Sequence, residues 1–243
     1  MQWLQTNKKN HFFYNFNINN HCSEVQWAKI TAYNKTNNTV DTWQKRTSCK
    51  KFTNLFLGDL AKNLLKTFII LNRPVYINSI IEYDIIRNDN FVNSDEYDLK
   101  IVNRDKSCNI EVKSSGDKSA QNINDLLSRR IIINVGNQHE HFECVAIQVM
   151  FIPNNLNFFT NGEFNCPDFD KFTVEYINSF YRENVNAYIV GYADEDMQKK
   201  AVKDLFDVQN QNADAKKRSY ADLQIINSKS ANDFLNKLDE FMK

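Results

Sequence analysis

The chain has 243 residues, 42% of them hydrophobic, enough for one large domain with a sizeable core. Lys and Arg total 30 against 30 Asp and Glu, so overall charge draws the chain to no polyanion, and an anionic partner must meet a local basic patch. No run approaches the roughly 18 apolar residues of a membrane span, and MQWLQTNKKNHFF lacks the basic, apolar and small-residue order of a secretory signal, so a cytoplasmic protein with no membrane partner is expected.

Residues 1–50 are polar, aromatic and Asn-rich, with alternating pieces HFFYNFNIN and VQWAKITAY that read as strands. From Lys51 to Asn72, Phe52, Leu55, Phe56, Leu60, Leu64 and Phe68 recur at the spacing of one helical face and predict a helix that Pro74 ends. Asp59 falls on that apolar face, where a carboxylate is costly unless it meets a cation or metal, or reaches water from the helix edge. VYINSIIEYDIIR then reads as extended.

Tyr97 to Val102 and Asn109 to Ser114 read as two strands of a hairpin joined by the polar turn NRDKSC. Period-two alternation puts Ile110, Val112 and Ser114 on one face and Glu111 and Lys113 on the other, and sets Asp98 on the face opposite Leu99 and Ile101. SAQNINDLLSRRIIINVGN fits a helix through Ile123, Leu126, Leu127, Ile131 and Val135 closed by Gly136, or a strand over RRIIINV; the helix is the favoured reading. FECVAIQVMFI and VNAYIVGYA are apolar almost throughout, as strands covered on both faces are. DEDMQKKAVKDLF and SANDFLNKLDEFM are helical, the second starting at Ser230. Cys22, Cys49, Cys108, Cys144 and Cys166 are odd in number and have no CxxC spacing, which argues against a zinc ribbon or a disulfide framework and for reduced, intracellular thiols.

An Asp on one strand and a Glu and a Lys two residues apart on the next suit magnesium-dependent phosphodiester hydrolysis. Two carboxylates give hard oxygen ligands while leaving coordination sites to water and phosphate, and an adjacent ammonium can hydrogen-bond the water or the scissile phosphate. The plain alternative is a solvated strand face of alternating charge. Glu82 and Glu96 are further acidic candidates, and Asp95 is a rival to Asp98. Ser114 and Ser115 could bond a phosphate or cap the turn at Gly116, and Arg129, Arg130 and the KKR of Lys216 to Arg218 are candidate DNA phosphate contacts, although most such groups are merely solvated. HEHFEC, His139 to Cys144, suits a solvated loop better than a zinc site.

Asp98, then Glu111, Val112 and Lys113, resemble the motif of the PD-(D/E)XK nuclease superfamily, with Tyr97 where the family has Pro. Asp59 in GDLAKNLL is similar to the acidic residue on that family's first core helix. The resemblance covers Lys51 to about Pro153 and implies an α/β protein with an αβββαβ restriction-endonuclease-like core, a central mixed sheet flanked by helices. It divides the chain into an N-terminal addition over 1–50 for DNA recognition or dimerisation, a catalytic core over 51–153, and additional strands and helices over 154–243 that complete the same domain. It also implies catalytic Asp98, Glu111 and Lys113, and Mg2+ held by Asp98, Glu111 and Asp59. A chain of this length, without a helicase motif or a glycine-rich phosphate loop, most resembles a Type II restriction endonuclease, expected to be a homodimer that cuts double-stranded DNA at a specific sequence. The alternatives are a repair or recombination nuclease of the same superfamily, and a catalytically inactive DNA-binding subunit on a nuclease-like scaffold.

Overall fold

In the computed structural model, residues 1–39, 46–92, 97–134, 145–159, 166–211 and 220–243 are described. Strands β1 (Gln2–Gln5) and β2 (Phe12–Asn17) pair antiparallel. Alternation along β2 buries Tyr14 and Phe16 on one side of the sheet and Phe13 on the other. VQWAKITAY, expected as a strand, lies within helix α1 (Cys22–Asn38). Val25, Ala28 and Ala32 are buried at helical spacing there, and that packing overrides the β-branched residues between them.

Helix α2 (Ser48–Asn72) follows the expected apolar stripe and starts at Thr47, whose hydroxyl accepts from the Lys50 N–H at 3.3 Å. The next stretch is extended only over β3 (Ile80–Glu82). Pro74–Ser79 is a 3-10 helix, for which Pro74 presets the backbone, and α3 (Tyr83–Ile86) is one helical turn, so the fully extended reading is corrected. Strands β4 (Leu99–Asn103) and β5 (Lys106–Gly116) form the expected hairpin, but run further into the turn. Asn103 pairs with Lys106, leaving Arg104 and Asp105 to reverse the chain, with Arg104 at φ 53°.

The stretch expected as a helix after β5 divides differently: Ile123–Ser128 is a 3-10 helix started by an Asn122–Asp125 capping box, and Arg130–Asn134 is strand β6. Three consecutive isoleucines, Ile131 to Ile133, are stiff at χ1 and pack better on a pleated surface than on a helix. Val135 and Gly136, part of that reading, lie outside the described residues. The remaining elements are β7 (Val145–Ile152), α4 (Phe169–Arg182), β8 (Asn186–Asp194), α5 (Glu195–Gln211), β9 (Tyr220–Gln224) and α6 (Ala231–Phe241). The first residue of α6 follows Ser230, as expected, and Ser230 caps it.

The protein is α/β, with a mixed seven-stranded sheet in the order β1-β2-β8-β7-β5-β4-β3 and a two-stranded sheet of β6 and β9. Among the described residues, only β5 and β7 of the large sheet run parallel. One face, with Ile110, Val112, Val145, Ile147 and Val149, packs under α1, α2, α4 and α6. The other, with Ala146, Met150, Val190 and Ala193, packs under the small sheet, α5 and the 3-10 helix. Coverage on both faces is why β7 and β8 carry so few polar residues.

Cys49, in the first turn of α2, is disulfide-bonded to Cys166, just before α4. This corrects the reading of all five cysteines as reduced. Residues so far apart in sequence meet because α2 and α4 pack side by side, with Phe52 edge-on to Phe169, Phe172 and Tyr176. Cys22 and Cys108 remain thiols, and Cys144 lies outside the described residues. Among the described residues no helix is long and apolar enough to cross a membrane.

Candidate active site

The register of the β4–β5 hairpin decides which side chains meet. Leu99 pairs with Ile110, so one step beyond the end of β4 Asp98 comes opposite Glu111. There Asp98 Oδ2 accepts from the Val112 N–H at 2.7 Å, which anchors the carboxylate to the neighbouring strand. Ile110 and Val112 point into the core beneath α2, while Glu111 and Lys113 project from the opposite face. Their side chains are 31% and 21% exposed, and they form an ion pair.

Burial pushes the Asp98 carboxyl up to about 7, and the nearby Glu111 charge pushes the same way. Lys62, the Val112 N–H and Lys113 act against that rise. The structure thus brings Asp98, Glu111 and Lys113 together. Two carboxylates crowded at a partly buried position favour a cation between them. Among the described residues, however, no three His, Cys, Asp or Glu side chains gather as a metal-binding group.

Asp59 belongs to a different neighbourhood. It lies on α2, over the Ile110 and Val112 face, and is buried with Lys35, Lys62 and Asp84. Lys35 Nζ donates to Asp59 Oδ1 at 2.7 Å and to Asp84 Oδ2 at 2.8 Å. Lys62 Nζ lies 3.3 Å from Asp59 Oδ1 and also pairs with Asp84, which Arg87 approaches to 3.5 Å. Two lysines thus offset the buried charge of Asp59 through Oδ1, while its Oδ2 is buried without a hydrogen-bond partner. Lys62 links the two neighbourhoods, because its charge also acts on Asp98. Glu82, a further acidic candidate, is buried in β3 and paired with Lys66 at 3.2 Å, whereas Glu96 and Asp95, the rival to Asp98, lie outside the described residues.

The candidate phosphate contacts separate. Ser114 faces α2, where its hydroxyl lies 4.0 Å from the position a Cβ would take on Gly58. Ser115 shares the face of Glu111 and Lys113, and its hydroxyl accepts from Gln148 Nε2 at 3.4 Å. Arg129 donates to Asp117 at 2.5 Å and to Ser119 at 2.7 Å. Burial works against ionisation of Asp117, but Arg129 and the N–H groups of Ser119 and Ala120 outweigh it and hold the carboxyl below its usual range. Arg130 pairs with Asp222 of β9 at 2.5 Å. Both arginines are thus paired with carboxylates of the fold. HEHFEC and the KKR of Lys216 to Arg218 lie outside the described residues.

Compared with known proteins, the chain matches no family model, no curated protein and no solved structure. Its site is therefore read from geometry and chemistry alone. Sequence reasoning missed Lys35, Lys62, Asp84 and Gln148. Lys62 was within reach, since it stands three residues after Asp59 on one helix. The other three reach their partners from distant segments, and no local spacing marks them.

Proposed function

We propose that the chain is a magnesium-dependent endodeoxyribonuclease acting on double-stranded DNA, in the manner of a Type II restriction endonuclease. The observation that carries this reading is Asp98 set opposite Glu111, with Lys113 two residues along on the same face as Glu111. The strand order supports it: β3, β4, β5, β7 and β8 lie side by side in chain order, preceded by α2, with β5 and β7 parallel. One departure from an αβββαβ core is that, among the described residues, the β5-to-β7 connection carries a 3-10 helix and β6 rather than an α-helix.

The donors fit a magnesium ion. Asp98 and Glu111 would hold it, because the ion would offset both the burial and the Glu111 repulsion that now raise Asp98, and two carboxylates leave the other positions to water and phosphate. Bound magnesium supplies Lewis acidity, which polarises a phosphoryl oxygen and acidifies a water. Val112 fixes Asp98 through its N–H. Lys113, drawn from Glu111 toward a phosphate, donates a hydrogen bond to a non-bridging oxygen and stabilises the charge that grows there. A homodimer would place two such sites on the two strands of a palindrome.

Incubating the purified chain with plasmid and magnesium, then sequencing the ends, tests this reading. Discrete fragments with a common end sequence support it. Smears or structure-dependent cuts indicate a repair or recombination nuclease, and DNA binding without cutting indicates an inactive scaffold.

A further inference from the structure

Gln148 lies in β7 beside Lys113, its partner in the parallel β5–β7 register, and is 0% exposed. It marks an irregularity: Gly191 and Ile189 of β8 pair with Gln148 and Val149, so Val190 is an extra residue in the opposite strand. The amide nitrogen is anchored, donating to the Val149 carbonyl at 3.0 Å and reaching Ser115 Oγ at 3.4 Å and Met150 Sδ at 3.4 Å. The amide oxygen is buried and has no hydrogen-bond partner. Oε1 thus stays unpaired on a side chain whose register partner on β5, on the same face of the sheet, is Lys113. A buried carbonyl left without a donor is costly and needs an explanation.

We propose that Gln148 is a positioning residue for Lys113, its side-chain carbonyl accepting the Lys113 ammonium once Glu111 is engaged by metal and substrate. This inference rests on the nuclease reading and adds a residue to it. In the free protein Lys113 pairs with Glu111. When Glu111 turns to the metal, Lys113 loses that acceptor, and Gln148 holds it over the strand face, where it meets the phosphate. Gln148 touches neither substrate nor metal and acts through Lys113.

The test compares steady-state cleavage and thermal melting of the wild type, Gln148→Met and Gln148→Glu. Gln148→Met keeps the volume and removes the carbonyl, so it should lower kcat about tenfold, leave KM near the wild-type value, and melt at or above the wild-type temperature. Gln148→Glu keeps an acceptor oxygen but buries a carboxylate, so it should melt lower than Gln148→Met yet cleave faster. A purely structural role predicts the opposite order, with activity following stability. Wild-type kcat in Gln148→Met, or rates that track melting temperature, would overturn the inference while leaving the nuclease reading intact. Absence of cleavage by the wild type overturns the reading, and the inference with it. If Gln148→Met does not fold, Gln148→Leu makes the same comparison.

Discussion

Glu111 and Lys113 are partly exposed and lie outside both cores, so neither side chain holds the fold together. Glu111→Ala and Lys113→Ala should each abolish magnesium-dependent plasmid cleavage and leave the melting temperature nearly unchanged, since an ion pair this accessible contributes about 1 kcal/mol at most. Wild-type rates in either variant would remove the hairpin from the reaction. Asp98 behaves differently because it is desolvated. Its carboxyl titrates at about 7 rather than the ordinary 3.8, so between those values the unfolded chain loses this proton while the folded chain keeps it. Stability therefore falls as pH rises from about 4 to about 7 and is flat on either side. Without metal, Asp98→Asn should melt above the wild type at pH 8 and lose that advantage at pH 4. A difference of the same size at both pH values would show that Asp98 is not ionised against a burial cost.

The packing of α1 and α2 against α3 encloses charged groups that have little access to water, and removing one of them leaves its partners uncompensated. Lys62→Met should destabilise the chain by about 3–5 kcal/mol, because Asp59 and Asp84 lose a buried cation. Arg130→Ala, which breaks an accessible pair with Asp222, should cost less than about 1 kcal/mol. Urea melts of the two variants measure the contrast, and equal losses would contradict the burial of the lysine. The same elements show what a sequence exposes. α2, β7, β8 and α6 were legible because their apolar spacing reports which sides are covered, and the hairpin was legible because a short turn brings Asp98 and Glu111 together. α1 was not, because its buried stripe is small residues, Ala28 and Ala32, set among Thr and Tyr. Nor was β6, whose isoleucines followed a stretch with helical spacing. Lys35, Asp84 and Gln148 reach their partners only through tertiary contacts or strand register, which local patterns do not encode.

On the scale of the whole molecule, one covalent link spans 117 residues, between the start of α2 and the lead into α4. Cross-linking so long a loop restricts the unfolded chain, and its loss should lower stability by about 2–4 kcal/mol. Cys49→Ala should therefore melt below the wild type in the absence of reductant and level with it in excess reductant, and identical melts under both conditions would show that the pair does not form in solution. The link also closes a ring of backbone that contains α2, β3, both hairpin strands, β6 and β7, while β1, β2, β8, β9 and α6 hang from it as tails. A protease that cuts once inside the ring, for instance after Arg104 at the hairpin turn, would open the loop without releasing a fragment. The nicked protein would keep its full mass on a non-reducing gel and part into two pieces only when the sulfurs are reduced, so a chain severed beside its own candidate active site could still hold Asp98 and Glu111 on opposite sides of the cut.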